Sequence, residues 1–335
     1  MNQRTNLHLM FLIIIGICLV SGSGFVSPGQ FTDYPNQQTI LPSLKRSGDI
    51  VILPNHGTVY IATDFHTHFR DFNQWLKRTN LIERLEAGED IYGLILGDII
   101  DKKPGDASFE PLGDTKIINR IMRLQKQLGS KGERLICIKG NHEFAAATTY
   151  AMLKKHGMNA DNRQRMIDAL YQGTQGEYFQ QFNFIERMTD EQYDYLMELP
   201  TVVIGKNGFV GIHAGPSCSV KSLVELIHPT QEVLDELLWA RPAVVQIGGY
   251  TSSQTEDFLK RIGGSLLVVG HTPLSCLPEK NIKNGVALLG KHQIIFTTGY
   301  GASPGLPSYL VINLSKRYES VFDLEYGVEI QPLYP

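Results

Sequence analysis

Short apolar runs rich in β-branched and aromatic residues alternate with longer amphipathic stretches along the chain from residue 51 onward. The short runs predict strands, and the segments 94–96 and 267–269 are apolar at every position, which is typical of strands buried on both faces. The predicted strands span residues 59–63, 92–96, 134–139, 202–204, 209–213, 265–269, 293–298, 309–314 and 320–324.

The amphipathic stretches predict helices, and Thr189 followed by Gln192 predicts a capping box at the start of the fifth. Predicted strands alternate with predicted helices in the first part of the chain, and the last part is mostly strands. The pattern therefore predicts a layered α/β domain over residues 51–330. Its length of roughly 280 residues fits a single domain. The predicted helices span residues 72–87, 115–128, 145–155, 163–171, 190–199 and 230–239.

The first 24 residues have the pattern of a secretory signal. Arg4 precedes an uncharged, mostly apolar run at 9–20, and the small residues Ser21 to Gly24 follow it. We expect a cleaved signal peptide and therefore a secreted or periplasmic protein. The alternative is an uncleaved membrane anchor, although a spanning helix usually needs about 20 apolar residues. The proline and glycine residues within 25–50 predict a linker.

Composition excludes several classes of protein. Of the 335 residues, 42% are hydrophobic and 19% are charged, so the chain can bury a sizeable core. The formal net charge of −3 gives no bulk attraction to nucleic acid or to anionic membranes, and a membrane partner is expected only if the N-terminal segment stays uncleaved. The four cysteines, at 18, 137, 218 and 276, lack the spacing of a zinc site or a disulfide scaffold.

Five polar segments stand at or directly after predicted strand ends. Ligands in open α/β sheets collect beyond the carboxyl ends of the strands, so we expect these segments to converge. Their carboxylate, imidazole and amide groups suit Mn, Fe or Zn rather than a thiolate site. The predicted metal ligands are Asp64, His66, Asp98, Asn141, His213 and His271.

Asp98 is the expected bridge between two ions. One carboxylate can bridge ions about 3.5–4 Å apart, and Gly97 lets the backbone approach closely. Each segment alone has a structural alternative, such as a turn at Gly97-Asp98 or a helix cap at Asn141. Their joint occurrence, in this order and each after an apolar run, favours the metal site.

These segments resemble the signature of the calcineurin-like metallophosphoesterases, and within them the phosphoprotein phosphatase branch of Ser/Thr phosphatase-like, bacterial type. The resemblance spans about residues 59–314 and includes the stretches 97–101, 140–143, 237–241 and 270–273. It implies a β-sandwich flanked by helices with a dinuclear metal site at one edge. It further implies a first metal held by Asp64, His66 and Asp98. The implied ligands of the second metal are Asp98, Asn141, His213 and His271.

The chain departs from that signature at three positions. Thr63 replaces a glycine, and Lys102 stands where many eukaryotic members have an arginine, which changes the shape of the phosphate clamp. Pro273 removes the Gly-His-x-His ending of generic members, which points toward the protein phosphatase or dinucleoside tetraphosphatase branches. The interval from Asn141 to His213 is also longer than usual, so we expect a helical insertion around 144–190.

The expected chemistry is hydrolysis. Two cations lower the pKa of a shared water, so a bridging hydroxide attacks phosphorus directly. His142 suits the general acid for the departing alkoxide, because its side chain diverges from that of Asn141, and Asp101 would orient it. Arg241 is the first candidate for the phosphate clamp and Lys102 the second, with a mere surface charge as the alternative for Arg241.

The leading hypothesis is a phosphomonoesterase that acts on a phosphoprotein or a small phosphate ester. The alternative enzyme is a nucleotide or dinucleoside polyphosphate hydrolase, whose anhydride leaving groups need less protonation. The alternative without catalysis is a metal- or phosphate-binding module. Glu143 is expected to support its loop, and His68 is expected to be a supporting or exposed residue.

Overall fold

The computed structural model describes residues 44–103, 106, 108–157, 159–165, 168, 179–300 and 306–335. The predicted signal peptide and residues 25–43 of the predicted linker lie outside the described residues. So does most of the predicted helix at 163–171, although residues 160–165 are helical. In these ranges we find no helix with both the length and the apolar character that crossing a bilayer requires.

The strands belong to two sheets. The five-stranded sheet has the order β13-β12-β3-β4-β5, and the eight-stranded sheet has the order β1-β2-β6-β7-β8-β11-β10-β9. The strands are β1 Lys45–Ser47, β2 Ile50–Leu53, β3 Thr58–Ala62, β4 Ile91–Ile95, β5 Leu135–Cys137, β6 Val202–Gly205, β7 Phe209–Ile212, β8 Leu266–Val269, β9 Ile282–Lys283, β10 Val286–Leu289, β11 Gln293–Phe296, β12 Ser308–Asn313 and β13 Ile330–Pro332.

Parallel pairing brings the relevant strand ends together. In the five-stranded sheet β3, β4 and β5 are neighbours and parallel, with Ile61 opposite Leu94 and Leu94 opposite Ile136. In the eight-stranded sheet β7 is parallel to β8, with Val210 opposite Leu267. The loops that leave these strands at their carboxyl ends therefore emerge side by side within each sheet.

Helices cover the outer face of each sheet. The helices are α1 Phe69–Thr79, α2 Leu81–Glu86, α3 Gly113–Leu128, α4 Asn141–His156, α5 Phe179–Arg187, α6 Asp190–Glu198, α7 Gln231–Trp239 and α8 Ser252–Ile262. One apolar core joins α1 to α6 with the outer face of the five-stranded sheet, and another joins α7 and α8 with the eight-stranded sheet. A third core lies between the sheets, so the architecture is the expected layered β-sandwich flanked by helices.

Side-chain alternation explains why the strands are apolar throughout. In and directly after β4, Leu94 and Leu96 face the core between the sheets, whereas Ile95 faces the helices. In β8, Val268 faces the other sheet and Leu267 faces α7 and α8. Both strands are thus buried on two faces, as their sequence predicted.

Several local predictions need correction. The helix predicted at 72–87 is two helices, because Asn80 adopts a left-handed conformation with φ of 49° that ends α1. The strand predicted at 320–324 is wrong. Ser320 and Asp323 accept hydrogen bonds from nearby backbone N–H groups and hold a short 3₁₀ turn there instead.

Some elements were not predicted. Part of the segment interpreted as a linker, residues 45–50, forms β1 and the start of β2, and β2 pairs in parallel with β6. The strands β9, β10 and β13 and the helix α8 were also missed. Helix α8 begins with a capping box between Thr251 and Gln254, the same signal that the structure confirms for Thr189 and Gln192.

Candidate metal centre

The loop after β3 positions Asp64 and His66. Both have left-handed backbones, with φ of 52° and 48°, a conformation that is strained for side-chain-bearing residues and that clusters at functional sites. Asp64 accepts a hydrogen bond from the Thr63 hydroxyl at 2.7 Å and another from the His271 backbone N–H at 3.0 Å. His66 Nδ1 lies 3.0 Å from the Ile100 carbonyl, so Nδ1 donates and Nε2 keeps its lone pair.

The loop after β4 carries Asp98 and is held by a buried carboxylate. Glu143 accepts hydrogen bonds from the backbone N–H groups of Asp98 at 2.8 Å, Ile99 at 2.9 Å and Gly140 at 2.9 Å. A Cβ atom at Gly140 would stand 2.4 Å from Asp98 Oδ1, so only glycine allows this approach. Glu143 therefore joins the loops that follow β4 and β5, as expected of a supporting residue.

The second group of donors comes from both sheets. Asn141 begins α4 after β5, whereas His213 and His271 follow β7 and β8. Asn141 Oδ1 lies 2.9 Å from His213 Nε2 and 3.0 Å from His271 Nδ1. Asp98 Oδ2 lies 3.4 Å from His213 Nε2 and 3.7 Å from His66 Nε2, so this carboxylate stands between the two groups.

The chemistry of these donors fits a cation. The Nδ1 atom of His213 lies 2.7 Å from the Leu96 carbonyl, and that bond leaves the Nε2 lone pair of a neutral ring pointing inward. Lone pairs on His66 and His213 then face the oxygen lone pairs of Asp98 and Asn141. Such a cluster of buried acceptors requires a positive charge at its centre. The triads His66–Asp98–His142 and Asp98–His213–His271 each bring their ligand atoms within 4.8 Å of one another.

The pKa values of the cluster show the same need for positive charge. Burial would lower the pKa of His213, but the carboxylate of Asp98 outweighs it and raises that pKa to about 9. Burial raises the pKa of Asp64 to about 6. Burial also lowers the pKa values of His66 and His271 well below their ordinary range, and the charge of Lys103 adds to both effects.

His142 and Asp101 form a pair beside the ligands. Asp101 Oδ2 lies 2.8 Å from His142 Nδ1, and His142 Nε2 lies 3.9 Å from Asp98 Oδ2. The His142 backbone N–H also donates to Asp98 Oδ1 at 3.2 Å. The side chain predicted as a general acid therefore lies next to the carboxylate predicted to bridge two ions.

Of the predicted phosphate-binding cations, the structure brings one to the cluster. Arg241 donates from Nη1 to the His271 carbonyl at 3.1 Å. The Lys102 ammonium instead lies 3.7 Å from the centre of the Phe109 ring. The neighbouring Lys103, which sequence reasoning did not single out, places Nζ 2.5 Å from His142 Nε2.

Two further residues near the ligands have clear partners. Tyr300, which was also missed, packs its ring edge-to-face against His66 with 5.5 Å between the ring centres. His68 bridges two carboxylates, with Nδ1 3.0 Å from Asp71 and Nε2 2.7 Å from Asp106. Spacing along the sequence gave no signal for the contacts of Tyr300 with His66 and of His68 with Asp106, because each joins separate loops, whereas Asp71 lies only three residues from His68.

Comparison with known proteins connects this arrangement to a family. The family model for calcineurin-like phosphoesterases matches residues 57–275. A comparison with curated protein sequences finds no match.

Solved structures resemble the fold. A serine/threonine phosphatase from Saccharomyces cerevisiae with similarity to human phosphatase PP5 is 16% identical with a TM-score of 0.48, covering 77% of this chain and 73% of that chain. A putative diadenosine tetraphosphatase is 16% identical with a TM-score of 0.48, covering 79% and 94%. A cold-active protein-tyrosine phosphatase of a psychrophile, Shewanella sp., is 15% identical with a TM-score of 0.47, covering 81% and 78%.

The structural neighbours differ in the activities their names state, and their TM-scores are too low to favour one substrate over another. The family match, in contrast, spans more than half of the chain and includes all six predicted metal ligands. The chain therefore belongs to the calcineurin-like phosphoesterases and is a metal-dependent phosphoester hydrolase.

Proposed function

We propose that this protein is a phosphomonoesterase of the Ser/Thr protein phosphatase-like branch. The observation that carries the proposal is the contact of 2.8 Å between His142 and Asp101 beside Asp98. A phosphate ester leaves as a basic alkoxide that needs a proton, whereas an anhydride leaves as a weakly basic phosphate. A positioned imidazole is therefore most useful to an enzyme that cleaves esters.

Two metal ions, Mn, Fe or Zn, would be held by the buried donors. The first would take Asp64, His66 and Asp98. The second would take Asp98, Asn141, His213 and His271. When bound, the ions would lower the pKa of water and supply hydroxide near neutral pH. Elemental analysis of active enzyme tests this assignment, and fewer than two bound ions per chain would contradict it.

The remaining roles belong to residues of this chain. His142 Nδ1 faces the Asp101 carboxylate, so its other nitrogen, Nε2, is the one that can protonate the leaving oxygen. The Asp101 carboxylate would fix the orientation of the ring. Arg241, held at the His271 carbonyl, would bind the phosphoryl oxygens and neutralise charge that develops on them.

Replacing His142 with alanine tests the reaction class. We expect kcat on a phosphoserine peptide to fall about 10²–10⁴-fold, the usual contribution of a general acid, and kcat on p-nitrophenyl phosphate to change little. Equal losses on both substrates would remove the acid role. Diadenosine tetraphosphate and ATP are assayed as anhydride substrates with the same two proteins. If wild-type enzyme preferred them and the variant hydrolysed them normally, the anhydride reaction would replace the proposed one.

We also propose that the protein is exported and that its substrate is an exposed phosphoprotein or a small phosphate ester. Support comes from the apolar run at 9–20 with Arg4 before it and small residues after it. Sequencing the amino terminus of the protein from its native host tests export. A mature chain that begins near residue 25 supports a cleaved signal, and a chain that retains residues 1–24 contradicts it.

A further inference from the structure

The two consecutive lysines in the loop after β4 have different neighbours, one outside and one beside the predicted active site. Lys102 Nζ lies 3.7 Å from the centre of the Phe109 ring, a cation–π contact outside the ligand cluster. Lys103 Nζ lies 2.5 Å from His142 Nε2. Only the second lysine therefore reaches the residues of the proposed active site.

The direction of the chain explains this difference. Asp101 reaches Nδ1 of the His142 imidazole and Lys103 reaches Nε2 of the same ring. Asp101 has a left-handed backbone with φ of 73°, so the chain turns there and does not continue as an extended strand. After this turn the Lys103 side chain contacts His142, whereas the Lys102 ammonium lies over the Phe109 ring.

The Lys103 ammonium is suited to an anion. It is half-buried, and among the described residues no carboxylate pairs with it. An ammonium has three N–H donors, and the contact with His142 Nε2 engages one of them. A phosphoryl oxygen that took over this contact would leave Nε2 free to act as the acid. A partly buried cation without a counter-charge favours an anionic ligand, because charge-assisted hydrogen bonds are about twice as strong as neutral ones.

Described residues on both sides of Lys103 have side-chain contacts. Asp101 contacts His142 before it. After it, the Asp106 carboxylate lies 2.7 Å from His68 Nε2 and accepts from the Ser108 backbone N–H at 2.9 Å. These contacts fix the described residues Asp101 and Asp106 on either side of Lys103, which reduces the entropy lost on binding.

We propose that Lys103, and not Lys102, binds the phosphoryl oxygens of the substrate, opposite Arg241, and that this pair selects dianionic monoesters over monoanionic diesters. Arg241 lies beside His271 from the eight-stranded sheet, whereas Lys103 comes from the loop of the five-stranded sheet. Two cations from opposite sheets favour a ligand with two negative charges. The proposal rests on the phosphomonoesterase function and deepens it by naming the charge class of the substrate.

The test compares three alanine variants, Lys103→Ala, Lys102→Ala and Lys260→Ala, together with Lys103→Arg. Lys260 is an exposed residue of α8 that pairs with Glu256, so Lys260→Ala is the control for loss of a lysine outside the site. Each variant is assayed on p-nitrophenyl phosphate and bis-p-nitrophenyl phosphate with Mn²⁺ present. Binding of inorganic phosphate to the Mn²⁺-loaded protein is measured by calorimetry, and metal content and thermal midpoint are recorded.

For Lys103→Ala we expect kcat/KM on the monoester to fall about tenfold to a hundredfold and phosphate to bind about tenfold more weakly, with metal content unchanged. The loss on the diester is expected to be smaller by about tenfold. Lys103→Arg restores phosphate binding in part, and Lys260→Ala matches wild type. Normal phosphate binding by Lys103→Ala, or a larger loss from Lys102→Ala, would overturn the assignment.

The same experiment distinguishes failure of the phosphomonoesterase function from failure of the Lys103 assignment. If wild-type protein hydrolysed neither ester with metal present, the phosphomonoesterase function would fall. The calorimetric comparison of Lys103→Ala with Lys102→Ala would still decide which lysine binds phosphate. Equal losses of Lys103→Ala on monoester and diester would contradict the charge-class part alone.

Discussion

The metal-ligand cluster and the residues that would contact the substrate are built differently. The six predicted ligands are between 0% and 6% exposed, and hydrogen bonds to backbone or to Glu143 fix several of them or their loops. Arg241 and Lys103 are half-buried and lie just outside regular elements; Arg241 donates to the His271 carbonyl, and Lys103 contacts His142 beside the predicted ligands. The fixed part would set the chemistry, and the looser part would set which phosphate compound is accepted.

This difference has a physical basis. A pair of cations requires donors placed within a few tenths of an ångström, and only strand ends supported by a packed core give that precision. A phosphoryl group needs positive charge nearby but tolerates variation in where the charge comes from. Changes in the cluster should therefore remove the metal, whereas changes among the cations should leave the metal in place and weaken substrate binding.

The largest effect is expected from Asp98→Ala. Loss of the carboxylate that faces His66, His142 and His213 should remove bound metal and lower kcat/KM by about 10³-fold or more, which corresponds to about 4 kcal/mol. Elemental analysis and turnover of p-nitrophenyl phosphate measure both quantities. The exposed Asp257→Ala serves as the control. An active variant with a full metal content would contradict the bridging role.

Glu143→Gln should have the next largest effect. The amide of glutamine cannot accept all of the backbone N–H groups that the Glu143 carboxylate accepts, so buried donors lose their partner. We expect stability to fall by about 1–3 kcal/mol and metal affinity to fall about 10–100-fold. Chemical denaturation and metal titration measure these losses. The exposed Glu133→Gln should match wild type, and a comparable loss there would undo the interpretation.

Arg241→Ala changes a residue expected to contact the substrate, so it should show whether substrate binding can be weakened without loss of metal. We expect kcat/KM to fall about tenfold to a hundredfold while metal content stays at the wild-type value. Arg241→Lys should recover only part of the loss, because an ammonium lacks the planar fork of a guanidinium. Steady-state kinetics with elemental analysis provide the measurement, with the exposed Arg317→Ala as the control. Loss of metal from Arg241→Ala would show that the division between the regions is wrong.

Tyr250→Phe should have the smallest effect. Tyr250 lies under the Arg241 loop, donating its backbone N–H to the Arg241 carbonyl and accepting from Gln293 at its hydroxyl. The variant keeps the backbone bond, so kcat/KM should change by less than about threefold, while stability falls by about 1 kcal/mol because Gln293 loses its acceptor. Thermal unfolding measures the change against Tyr326→Phe, whose side chain is 48% exposed. A loss of activity beyond tenfold would mean that the hydroxyl itself positions Arg241.

Sequence patterns identified the strands and loops that carry the ligands, because those strands are apolar on both faces and a polar ligand must follow directly where such a strand ends. Eight of the nine predicted strands exist, with bounds shifted by one or two residues. Among the missed strands, β1, β9 and β13 have only two or three residues, too few for a periodic pattern to show in the sequence. The predicted strand at 320–324 failed because local capping by Ser320 and Asp323 competes with pairing.

The sequence alone determined the set of chemical groups at the site, since strand-end position and residue type are both visible in the order of the residues. It could not decide which lysine faces His142, because that depends on the left-handed turn at Asp101 and on Phe109 drawing Lys102 away. Nor could it place Glu143 beneath the Asp98 loop, since that contact joins residues 45 positions apart. Such contacts arise only when the two sheets pack and bring separate loops within hydrogen-bonding distance.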